Sequence, residues 1–81
     1  MELKDTIDMM NSDDFKERFR AEYYQTKIRY EKLHQMLVKY DAGTLPFKPK
    51  CSSDLLAKQA GQMGGYLHCL EIRAEVEGIE L

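Results

Sequence analysis

Residues 13–40 read DDFKERFRAEYYQTKIRYEKLHQMLVKY, and the spacing within them decides the fold. Tyr23, Tyr30 and Leu37 recur every seven residues, and Phe19, Thr26, Leu33 and Tyr40 form a second series offset by four. This is the a/d pattern of a helix with one apolar seam, sustained over three heptads with no Gly or Pro to break it. It predicts a helix over 13–40, about 42 Å long at 1.5 Å per residue. Asn11 or Ser12 provides its N-cap, and Asp13 and Asp14 fall in its first turn, where negative charge is favoured.

Downstream, DAGTLPFKPKC (41–51) stops the helix. Gly43 suits the position after a helix end, and Pro46 and Pro49 cannot continue one. Ser52 or Ser53 restarts a helix over 53–77, with Leu56, Met63 and Leu70 interleaved with Ala60, Leu67, Ala74 and Leu81 as its seam. Gly78 ends it, leaving IEL as a short tail. The bulky seam of the first long helix complements the smaller seam of the second. Upstream, LKDTIDMM spaces Leu3, Ile7 and Met10 for a short helix over 3–10. We therefore expect an all-α single domain over 1–81: a short N-terminal helix, then an antiparallel two-helix hairpin joined through 41–51.

At 81 residues such a core is marginal, and oligomerisation is a usual support. Ile28 and Val38 fall off the first seam, and Tyr66, Cys69, Ile72 and Val76 off the second. These uncovered positions predict a homo-oligomeric helical bundle. GQMGGYLHC (61–69) adds three glycines inside a helix, each costing about 1 kcal/mol relative to alanine. Gly61, Gly64 and Gly65 lie off the seam and form, with Ala57 and His68, a stripe of mostly small residues. Such a stripe admits another backbone or a flat ligand, and a neighbouring helix is the expected occupant. Gly61, Gly64, Gly65, Ile28 and Ile72 are the candidate interface residues.

Net charge is −2, unevenly placed: residues 1–15 carry −4, 16–50 carry +5 and 52–81 carry −3. The overall acidity argues against a duplex nucleic-acid binder. No run approaches the roughly 18 apolar residues of a membrane span. With two cysteines and no apolar leader in MELKDTIDMM, a cytosolic chain with reduced thiols is expected. His34, Cys51, His68 and Cys69 lack metal-ligand spacing, so neither metal nor cofactor is expected. A Cys–His nucleophile would lack an orienting third group, and Glu71, Glu75 and Glu77 read as a solvated acidic face. A binding protein is expected rather than an enzyme.

Within the basic segment, Arg20, Tyr24 and Lys27 stand at i, i+4 and i+7, hence on one face. Two cations around an aromatic plate suit a nucleotide, whose phosphates meet the charges while the base stacks on the ring. The plainer alternative is a charged helix face crossed by a tyrosine. Lys50, with Lys48, could close over an anion from the connection, and Arg73 could reach a pocket between protomers. The candidate ligand-binding residues are Arg20, Tyr24, Lys27, Lys50 and Arg73.

YEKLHQMLVKY, AGTLPFKPKC and LLAKQAGQMGGYLHCLEIRAEVEGIEL, with Leu55-Leu56, Gln59, Met63, Tyr66, Leu70 and Arg73-Ala74, resemble a group of small bacteriophage and prophage hairpin proteins. That group is similar in organisation to the anti-CBASS and anti-Thoeris sponges. The resemblance implies an oligomer, commonly a hexamer, that sequesters a cyclic oligonucleotide or a cyclic ADP-ribose isomer between protomers without hydrolysing it. One residue carries over, Arg73, at the helix-end arginine. Two other readings stand beside this one: a protein-binding inhibitor or adaptor of the anti-CRISPR kind, and a structural phage accessory.

Overall fold

The computed structural model describes residues 1–81 and is entirely helical, with no strand. A 3₁₀ turn at Leu3–Thr6 runs into α1 (Ile7–Met10); α2 (Phe15–Ala42) and α3 (Ser53–Glu77) follow. The segment expected as one helix over 3–10 is thus split, and Thr6 is buried where the two pieces meet, its hydroxyl donating to the Leu3 carbonyl at 2.7 Å.

α2 is shifted two residues from the expected 13–40. Its N-cap is Asp14, whose carboxylate accepts from the Lys16 N–H at 3.0 Å. Ser12 instead accepts from the Asp14 N–H in the preceding turn, which leaves Asp13 outside the helix. At the far end Gly43 takes φ 76°, and the Thr44 N–H reaches back to the Lys39 carbonyl at 2.9 Å. This cap ends the helix after Ala42. Ser52 caps α3 by accepting from the Leu55 N–H.

α2 and α3 touch with partner positions running in opposite senses. Lys16 Nζ donates to the Gly78 carbonyl, Tyr23 lies against Glu71, and Tyr30 covers Gly64. Phe19, Tyr23, Leu67, Leu70, Ala74 and Ile79 form the core, with Tyr24 and Tyr30 packed onto it. All six lie toward the chain termini. Ala21 is wholly buried, and Gln25, one turn on, reaches Met10 of α1 through its amide at 3.5 Å.

Two seam expectations are corrected. Tyr40 is exposed, because beyond Tyr30 the long helices bound an open groove. Ile79, expected in a free tail, is only 6% exposed, whereas the seam candidate Leu81 lies at the surface. Gly78, at φ 69°, lets the chain turn back, so that the Ile79 N–H bonds the Ala74 carbonyl at 2.9 Å and its side chain drops onto the core.

The molecule measures 43 × 25 × 17 Å with a radius of gyration of 14.9 Å. A compact chain of this length would have about 11.7 Å. No helix is long and apolar enough to cross a membrane.

Candidate functional site

The basic half of α2 gathers aromatic rings. Tyr23 and Tyr24 meet edge to face, with centroids 5.1 Å apart, and the Lys27 ammonium lies 5.8 Å from the Tyr23 ring centre. One turn on, Tyr30 and His34 are nearly parallel, at 9° and 5.8 Å. The Lys27–Tyr23 and Tyr30–His34 contacts are i, i+4 pairs on one helix, so the sequence places them directly.

Carboxylates temper this cluster. The Tyr23 hydroxyl donates to Glu71 Oε2 at 2.7 Å. Burial, then this hydrogen bond and the Glu71 charge, push the phenol up to about 12. Lys27 lines a groove of about 230 Å³ together with Glu31 and Glu71. An anion there would face two negative charges beside one positive.

The remaining candidates are distributed along the termini end and the connection. Arg20 Nε donates to the Glu80 carbonyl at 2.6 Å, which ties α2 to the residues after α3. Arg73 lies 5.0 Å over the Phe19 ring and donates through Nε to Glu77 at 2.9 Å. Tyr24 packs half-buried on the core, and Lys50 is exposed in the connection. Of the five, only Lys27 lines a groove.

The glycine stripe also divides. A Cβ at Gly64 would sit 3.4 Å from Tyr30 Cε1, so its neighbour is a ring of the same chain. At Gly61 and Gly65 a Cβ would meet nothing within 4 Å. Ile28 is half-buried and Ile72 exposed. The missing side chain at Gly61 helps open a groove of about 590 Å³ between α2 and α3, lined also by His34, Asp41 and Asp54. Cys51 and Cys69 are free and exposed, and no three acidic, His or Cys side chains converge as a metal-ligand set.

Sequence reasoning missed the Tyr23–Glu71 bond and the burial of Ile79. The second had a signal, a glycine at a helix end followed at once by a large aliphatic residue. The first had none, because it joins residues 48 positions apart.

A family model described as Sequestin matches residues 13–76, spanning α2, the connection and all but the last residue of α3. No curated protein matches the chain, and no solved structure does.

Proposed function

The chain belongs to the Sequestin family, and from that premise we propose that it captures a small anionic nucleotide messenger and holds it without cleaving it. The family name, with its sense of sequestration, is the observation that carries the reading. Cations and aromatic rings concentrated on α2 and the connection support a ligand that combines phosphate with a flat base. The biological setting we propose is a phage-encoded anti-defence protein acting in the host cytosol, where removing a cyclic oligonucleotide or cyclic ADP-ribose isomer would silence an immune signal.

We propose further that copies of the α2–α3 hairpin assemble into a homo-oligomer. Leu55, Tyr66, Ile72 and Val76 are exposed along one side of α3, interrupted by Lys58 and Arg73, and Val76 is 81% exposed. The accessible surface is 5917 Å², about 900 Å² above that of a compact chain of this mass. One partner in a stable interface contributes about 800 Å². The same stripe would also serve a protein-binding inhibitor.

The test is retention. Purified protein is incubated with a panel of cyclic di- and trinucleotides and cyclic ADP-ribose isomers, then filtered through a membrane that passes free nucleotide. Heating the retained protein should release one of them chemically intact. Passage of the whole panel, or recovery of cleavage products, would refute sequestration, and recovery of a single host protein by pull-down would then favour the inhibitor.

A further inference from the structure

Beyond Thr26, α2 sorts its charges by side. Its two acids there, Glu31 and Asp41, line the grooves facing α3. Lys32 and Lys39 line a different hollow, on the outer side of α2, beneath the returning connection. Leu45, Pro46, Phe47 and Met36 line it, and the hollow, open to solvent, measures about 310 Å³. No carboxylate lines it, and neither lysine has an ion-pair partner. The other three hollows of the chain all carry acids.

The cup has the parts required to hold a ring-bearing phosphate. Phe47 is 58% exposed, a large aromatic plate left uncovered beside two ammonium groups. Lys32, Met36 and Lys39 stand at i, i+4 and i+7, the spacing that singled out Arg20, Tyr24 and Lys27. In the earlier set Arg20 is bonded to the Glu80 carbonyl and Lys27 lies between carboxylates. In this one both cations are free, and the plate comes from the connection instead of the helix. Seven residues of helix separate the lysines by about 10 Å along the axis, within reach of one phosphate chain for two flexible stems. The volume lies at the small end of ligand sites, which run from about 300 to 1,000 Å³, and suits a single nucleotide.

We infer that this cup under Leu45–Phe47 is the ligand site, and that it takes a nucleoside diphosphate or a molecule containing one, with its ring on Phe47 and its phosphates at Lys32 and Lys39. The inference rests on the sequestering reading and gives it a location. Base stacking is tolerant of base identity, so the cup would select for charge and a flat ring before it selected a particular base.

Calorimetry on the full chain at low salt, with ADP, pyrophosphate and adenosine as probes, tests the assignment. ADP should bind most tightly. Phe47→Ala should weaken ADP about fivefold or more while leaving pyrophosphate unchanged. Lys32→Glu and Lys39→Glu should each weaken both ADP and pyrophosphate by about tenfold or more. Lys4→Glu, at an exposed position near the start of the chain, should change nothing. Helical circular dichroism at the wild-type level shows that the variants are folded. If ADP is retained by all three cup variants and lost with Lys27→Glu, the location is wrong and sequestration stands. If wild type binds neither ADP nor pyrophosphate, the cup is not the site, and retention of the cyclic nucleotide panel decides sequestration separately.

Discussion

Replacing the three helix glycines by alanine separates the intrinsic cost of glycine from what packs against it. At Gly61 and Gly65 an added Cβ meets nothing within 4 Å, so the substitution gains helix propensity alone. That gain is about 0.8–1.0 kcal/mol at each site. For a domain of this size 1 kcal/mol moves the melting point by roughly 4–8 °C, so each alanine should raise Tm by about 3–8 °C. At Gly64 the Cβ would lie 3.4 Å from Tyr30 Cε1 and 3.7 Å from Cζ and the hydroxyl. This is the near edge of favourable carbon contact, about 3.5–4.0 Å, and a slight shift of the ring offsets part of the gain. Gly64→Ala should therefore raise Tm less than either neighbour. Gly64→Leu drives further carbons into Tyr30 and should cost about 1–3 kcal/mol, loosening the chain's own packing. Thermal melts followed at 222 nm over a range of protein concentrations read the series. A failure of Gly61→Ala or Gly65→Ala to raise Tm in dilute solution would refute the reasoning. A gain present when dilute and lost when concentrated would place a second copy against the stripe.

Ile79→Ala removes a core side chain and should destabilise by about 2–4 kcal/mol, read from the urea midpoint; a near-neutral result would return Ile79 to the tail. Tyr23→Phe removes the bond to Glu71 and should cost about 1 kcal/mol at neutral pH. The Tyr23 phenol titrates near 10 when unfolded and about 12 when folded, so the folded state holds its proton longer. Its contribution is complete below pH 10 and disappears as pH rises through about 12; wild type should therefore lose more stability than Tyr23→Phe across that window in parallel denaturation curves. Ile72→Glu places a charge on the exposed side of α3 and should lower the mass seen by light scattering, whereas an unchanged oligomer would exclude that face from assembly.

The long helices were legible because their signals are local. Heptad spacing from Phe19 to Leu37, the glycine after Ala42 and the serine before Ser53 each act within a turn or two of chain. Local pattern could not show where the helices stop packing: Tyr40 continues the register of Leu33 yet is exposed, because α3 offers it no cover. The two-residue shift of α2 reflects competition between Ser12 and Asp14 for the cap, and distance in sequence alone does not rank them. The candidate site divides similarly. Arg20, Tyr24 and Lys27 were visible through helical spacing, but the bond from Arg20 to Glu80 joins positions 60 apart. Phe47 could be paired with Lys32 and Lys39 only once the course of the connection was known.

Placing the core at the termini has a kinetic consequence. A helical pair buried near its turn can zip from the turn outward, closing only the ten residues between α2 and α3. Here the packing begins at Tyr30 against Gly64, about 34 residues apart, and the core proper follows, as between Tyr23 and Glu71. Closing that longer loop costs about 1.1 kcal/mol more chain entropy, roughly sixfold in rate. Such a chain should fold slowly for its helix content, with α2 and α3 forming early and meeting late. The last event is the docking of its two ends.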